Sequence, residues 1–84
     1  MIIINKLGLH ARAAAKLVHT ASGFESRIDL LCKGQTADAK SIMGIMMLAA
    51  SQGTDLEIVA DGPDEVDAVE SLATLFQERF GEDE

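Results

Sequence analysis

The segment Gly8-Leu9-His10-Ala11-Arg12 places an imidazole at the start of a helix and a guanidinium two residues later. None of the usual capping side chains precedes Ala11, so the first helical N–H groups lack an obvious side-chain acceptor and, with the helix dipole, form an anion site. Arg12 adds planar donors matched to phosphate oxygens. The positive end of the dipole disfavours a second positive charge, which favours the neutral, nucleophilic form of imidazole. The chemistry offered is a histidine that accepts a phosphoryl group, the resulting dianion being held by the backbone N–H groups of Ala11, Arg12 and Ala13 and by the Arg12 side chain. The competing account is a solvated histidine at a helix start. His19, mid-helix and without an anion-binding context, is assigned to the surface.

The helix that begins at Ser41 is the second unusual segment. Ile42, Ile45, Leu48 and Ala49 form one apolar stripe, and Met43, Met46, Met47 and Ala50 form another. A thin domain needs one stripe for its core, which leaves methionines on a surface suited to docking several partners. Full burial of the helix is the alternative. Gly44 costs ~1 kcal/mol relative to Ala in a helix, and either admits a partner's backbone or eases internal packing. Ser41 suits the cap position. A phosphoryl group there would be compatible with the dipole and would place negative charge beside the methionines, changing docking without unfolding the chain.

Seven Gly and one Pro divide the chain into the short elements that must position these residues. Ile2 to Ile4 is strand-like by residue type. Helical spacing of Ala14, Leu17, Val18 and Ala21, followed by Gly23, predicts a helix from Ala11 to about Ala21. Alternation at Ile28, Leu30 and Cys32 predicts a half-buried strand, and Lys33-Gly34 turns it into a short partner at Gln35 to Ala37. A helix from Ser41 to about Ala50 ends near Gly53. Alternation returns at Leu56, Ile58 and Ala60 until Asp61-Gly62-Pro63 breaks it. A final amphipathic helix carries Val66, Val69, Ala73, Phe76 and Phe80, with Asp64, Glu65 and Asp67 in its first turn and Arg79 in its last. The order β-α-β-β-α-β-α predicts an α+β two-layer open-faced sandwich, a mostly antiparallel sheet with helices on one face, and Leu31 and Val59 on the open face.

The chain of 84 residues, 48% apolar and 25% charged, is material for a single domain over residues 1–84. A chain this size buries about 60% of its unfolded surface, enough for one core and a surface site but not for a cleft between domains. No apolar run reaches the ~18 residues of a membrane span, and Met1 to Ile4 lacks the features of a signal peptide, so the chain reads as cytoplasmic, with no direct membrane insertion. A lone Cys32 excludes a disulfide framework or multi-thiolate metal site; no metal or cofactor is expected. A net charge of −7 with no Tyr or Trp argues against nucleic acid. That charge is uneven: residues 1–54 hold six basic and three acidic residues, and residues 55–84 hold one basic and eleven acidic. The acid is expected to face away from the chemistry, leaving a basic side that attracts acidic partners.

Gly8-Leu9-His10-Ala11-Arg12-Ala13-Ala14-Ala15 resembles the active-site signature of the HPr family, phosphocarriers of the bacterial phosphoenolpyruvate-dependent phosphotransferase system. Ala39-Lys40-Ser41-Ile42-Met43-Gly44-Ile45-Met46 resembles its regulatory-serine segment. The resemblance covers nearly the whole chain. It implies that His10 takes phosphate on Nδ1 from phosphorylated enzyme I and passes it to IIA proteins or domains, of a sugar or nitrogen-related branch, with Arg12 assisting. It implies Ser41 as a target of HPr kinase/phosphorylase, a partner face containing Ala15, Ile42, Met43, Gly44, Met46 and Met47, and a monomer that carries phosphate rather than acting as an independent enzyme. It further implies four strands in the order 1-4-2-3 with three helices on one face. Two departures stand out: Ala13 occupies a position where the family usually has Pro, which leaves one more N–H free, and the chain begins about five residues late, which leaves a very short first strand.

Two other classes compete. A regulatory binding module would act through Ser41 and the Met43/Met46 face with His10 idle, and the intact His10/Arg12 pair counts against it. An acyl-carrier-type protein would carry a prosthetic arm on Ser41, but the Asp-Ser-Leu context is missing and the strands at Ile28 and Leu56 contradict an all-helical bundle.

Overall fold

The computed structural model describes residues 1–82. Helix α1 (Ala11–Ser22) is followed by strands β1 (Arg27–Cys32) and β2 (Gln35–Asp38), helix α2 (Ile42–Met47), strand β3 (Glu57–Asp61) and helix α3 (Glu65–Gln77). The central β1 pairs antiparallel with both others, giving the order β2-β1-β3. Lys33 and Gly34 both have positive φ, 51° and 80°, which matches the twist of a two-residue hairpin. Register sets Leu30 opposite Ala37 on one side and Ile58 on the other. The alternation holds: Ile28, Leu30 and Cys32 are buried, whereas Leu31 and Val59 lie exposed on the open face.

The expected first strand does not form, so the sheet has three strands and not four. Ile2 makes a single antiparallel bridge to Asp55. Ile3 N–H donates to the Thr54 carbonyl at 2.9 Å, and Leu56 N–H to that of Met1 at 2.8 Å. The chain then turns, with Gly8 N–H bonded to the Asn5 carbonyl, and the pairing does not extend past that single bridge. Ile3 is nonetheless fully buried. The segment fills the core without extending the sheet.

Two helices also depart from expectation. α2 stops at Met47 because Leu48 caps it and Ala49 adopts a left-handed conformation at φ 51°, closing the helix well before Gly53. Ile45 and Ala50 are buried, while Ile42 and Ala49 of the expected core stripe are exposed. In α3 the inward stripe is Ala68, Leu72 and Phe76, and Val66 is 66% exposed. Arg79 lies past the helix, where Arg79, Phe80 and Gly81 all have positive φ. Phe80 is buried against Phe76 in an edge contact with ring centroids 4.9 Å apart, a geometry worth about 1 kcal/mol beyond area burial.

α1 and α3 pack together, and α1 also packs on α2. Leu17, Ile28, Leu30, Ile45, Leu72, Phe76 and Phe80 meet in the core, each large side chain contributing about 1.5–3 kcal/mol of burial. Asp64 occupies the position preceding α3 without capping it. Its carboxylate instead accepts hydrogen bonds from the Ser26 hydroxyl and from the backbone N–H groups of Glu25 and Ser26. These hydrogen bonds, that of the Ser26 hydroxyl first and then that of Glu25, hold the carboxyl below the usual aspartate value against an opposing effect of burial.

Candidate functional site

His10 is itself the residue that caps α1. Its backbone is extended at φ −75° and ψ 178°, and its Nδ1 accepts the Arg12 backbone N–H at 3.3 Å. One of the first-turn N–H groups therefore has a side-chain acceptor, the imidazole that the sequence set beside it. Ala14 N–H bonds to the His10 carbonyl at 2.8 Å. The N–H groups of Ala11, Arg12 and Ala13 precede the first intrahelical bond and constitute the positive end of the helix.

The preceding loop is held by close backbone approach. Gly8 has φ +66°, and a Cβ there would lie 2.6 Å from the Ala50 carbonyl oxygen and 2.8 Å from Ser51 Cα. Leu9 N–H donates to that carbonyl at 2.9 Å. The loop that presents His10 is thus fastened to the residues that follow α2.

The other ring nitrogen is also engaged. His10 Nε2 pairs with the Glu82 carboxylate. Because Nδ1 is already an acceptor, the neutral ring carries its proton on Nε2 and donates it to Glu82. The second Glu82 oxygen accepts from the Asn5 amide at 3.0 Å, and the same amide nitrogen donates to the Gly8 carbonyl at 2.8 Å. Asn5 is 1% exposed, so these bonds are made away from water. Its Oδ1 has no donor among the described residues. Lys16 Nζ donates to the Phe80 carbonyl. Burial pushes the Glu82 carboxyl up, but the hydrogen bonds from Asn5 and His10 and the charges of His10 and Lys16 prevail and hold it below the usual glutamate value.

Sequence reasoning missed Asn5, Lys16 and Glu82. The acidic C-terminal part, expected to face away from the chemistry, does not do so entirely: its Glu82 carboxylate touches the histidine. The sole signal was Gly81, a turn residue directly after the last apolar position. The expected residues fall as follows. Arg12 is exposed, and among the described residues its guanidinium has no ion-pair partner. Ala11 and Ala15 are exposed on α1, and the Ala13 side chain is buried. Ser41 caps α2, its Oγ accepting the Gly44 N–H at 3.1 Å. Ile42, Met43, Met46 and Met47 leave 42%, 70%, 41% and 75% of their surfaces exposed. Gly44 is half-buried, where a Cβ would approach Ser41 Oγ to 3.3 Å and Ala37 Cβ to 3.7 Å, so its small size serves the Ser41 cap. Among the described residues no His, Cys, Asp and Glu cluster could hold a metal ion, and no helix is long and apolar enough to cross a membrane.

The arrangement offers a nucleophilic nitrogen at a helix N-terminus, an exposed guanidinium two residues on, and a proton fixed on the opposite ring nitrogen. Comparisons with known proteins show the family. The family model described as "PTS HPr component phosphorylation site" matches residues 1–78. "Phosphocarrier protein HPr" of Xylella fastidiosa (strain 9a5c) is 57% identical over 83 residues, covering 99% of this chain and 93% of that protein. The protein of the same description from Cupriavidus necator is 54% identical over 82 residues, 98% of this chain and 92% of its own length. The crystal structure of HPr-C-His from Thermoanaerobacter tengcongensis superposes with a TM-score of 0.96 at 46% identity, covering 100% of this chain and 94% of that one. The chain belongs to the HPr family of phosphocarrier proteins of the phosphotransferase system.

Proposed function

We propose that His10 carries the phosphoryl group on Nδ1, receiving it from phosphorylated enzyme I and delivering it to IIA proteins or domains. In the accepting step the Nδ1 lone pair forms the new N–P bond as the bond between phosphorus and the donor breaks. Arg12 N–H, which meets Nδ1 in the resting state, turns to a phosphoryl oxygen. The N–H groups of Ala11 and Ala13 and the Arg12 guanidinium complete the shell around the dianion. Donation to IIA reverses these movements, and no proton has to leave Nε2 in either direction. The observation that carries this reading is the placement of Nδ1 against the first free N–H groups of α1.

Partners dock on Ala15 and on the exposed Ile42, Met43, Met46 and Met47 beside Gly44. Phosphorylation of Ser41 by an HPr kinase/phosphorylase would place two negative charges at this face while sparing the core, which regulates docking by repulsion. The chain acts as a monomer. Incubation with phosphoenolpyruvate and enzyme I labels the protein with an acid-labile phosphate that Ser41→Ala retains and His10→Ala loses; labelling that survived in His10→Ala would overturn the assignment.

A further inference from the structure

Beyond the residues that hold phosphate, the geometry points to a second participant: we propose that Glu82 is a positioning residue for His10, holding Nε2–H and neutralising the charge that the ring acquires when Nδ1 is phosphorylated. The inference rests on the carrier reading above and names a residue that the reading does not use. Glu82 lies 72 residues from His10 in the chain, yet its side chain is only 12% exposed and bonded at both oxygens.

Backbone strain brings it there. After α3 the chain reverses through Arg79 and Phe80 at φ 55° and 56°, two non-glycine residues in the left-handed region, each of which costs about 1–2 kcal/mol. Phe80 is anchored by burial against Phe76 and by Lys16 on its carbonyl. The reversal delivers one carboxylate to the histidine. Strain of this kind persists where the surroundings over-determine it, and it concentrates at functional positions. Asn5 ties Glu82 to the Gly8 carbonyl, so ring, loop and carboxylate are held as one unit.

The electrostatic consequence follows from atom balance. When Nδ1 forms a bond to phosphorus and Nε2 keeps its proton, the imidazole ring becomes cationic; when the phosphoryl group leaves, the ring returns to neutral. Glu82 faces that change directly, whereas the other nearby charges, Lys16 and Arg12, are positive. A carboxylate against a charged N–H makes a hydrogen bond roughly twice as strong as against a neutral one. Glu82 therefore favours the phosphorylated state. Glu82→Gln keeps an acceptor for Nε2–H without charge, and Glu82→Ala removes both.

Two measurements on the full chain test this. The first is the His10 Nε2 proton resonance of the unphosphorylated protein, which should be downfield and slow to exchange in wild type, visible in Glu82→Gln, and lost to exchange in Glu82→Ala. The second is the phosphorylated fraction at one fixed phosphoenolpyruvate-to-pyruvate ratio with enzyme I. The phosphorylation equilibrium constant should fall about tenfold in Glu82→Gln, as expected for exchanging a charged for a neutral acceptor, and further in Glu82→Ala. An Nε2 proton equally protected in Glu82→Ala overturns the positioning role. A constant within twofold of wild type in Glu82→Gln, or one that rises as relief of repulsion would give, overturns the charge role. If the wild-type chain takes no phosphoryl group, the carrier reading and the charge role fall together, while the proton resonance still reports whether Glu82 holds the ring.

Discussion

Gly8 approaches Ala50 so closely that a Cβ would lie 2.6 Å from the Ala50 carbonyl oxygen. This contact joins the loop that presents His10 to the chain leaving α2, and thereby sets the nucleophile against the proposed docking helix. Gly8→Ala must both adopt φ near +66° and displace backbone. It should destabilise the fold by about 2–3 kcal/mol and slow phosphoryl acceptance, whereas Gly34→Ala, in open space with a positive φ alone, should cost about 1–2 kcal/mol and leave acceptance unchanged. Urea unfolding and single-turnover labelling of both variants read this difference.

Asp64 ties the start of α3 to the Glu25-Ser26 turn before β1. Its carboxyl lies below the usual aspartate value in the fold. The unfolded chain therefore binds the proton more readily, and the stabilisation is complete above the unfolded value and lost as pH falls through the folded one. Asp64→Asn should be less stable than wild type at pH 7, and the two denaturation midpoints should converge as pH falls through the lowered folded value. A gap that stayed constant from pH 7 to pH 2.5 would contradict this account.

Ser41 separates capping from charge. Ser41→Ala removes the acceptor for Gly44 N–H and should cost about 1 kcal/mol, with partner binding little altered. Ser41→Asp retains a good capping side chain but sets a negative charge beside Ile42 and Met43. It should keep the stability of wild type and weaken enzyme I binding, by calorimetry or by titration of amide shifts in α2.

How much of this was legible beforehand depends on whether the signal was local. The half-buried β1 strand showed in the alternation of Ile28, Leu30 and Cys32, and the hairpin in Lys33-Gly34, because both depend on residues adjacent in the chain. His10 and Arg12 stood out for the same reason: a helix start without one of the usual capping residue types lies within five residues. Helix length and phase were harder. Ala49 took the left-handed conformation that a glycine was expected to supply, and Val66 lost the inward position to Ala68 because packing against β3 and α1, not periodicity alone, decides which stripe is buried. The Glu82 contact with His10 was out of reach, since a 72-residue separation closes only when the whole core has formed. The shortened amino-terminal strand was visible as a short run, but its reduction to one bridge required the turn at Asn5 to Gly8.

A single ring nitrogen of His10 is proposed to carry the phosphoryl group. Phosphorus-31 and nitrogen-15 NMR of the histidine-labelled chain, after reaction with phosphoenolpyruvate and enzyme I, tests it most directly. The account predicts a phosphorus resonance coupled to His10 Nδ1, with Nε2 still protonated. Phosphorus on Nε2, on His19 or on Ser41 under these conditions would contradict it.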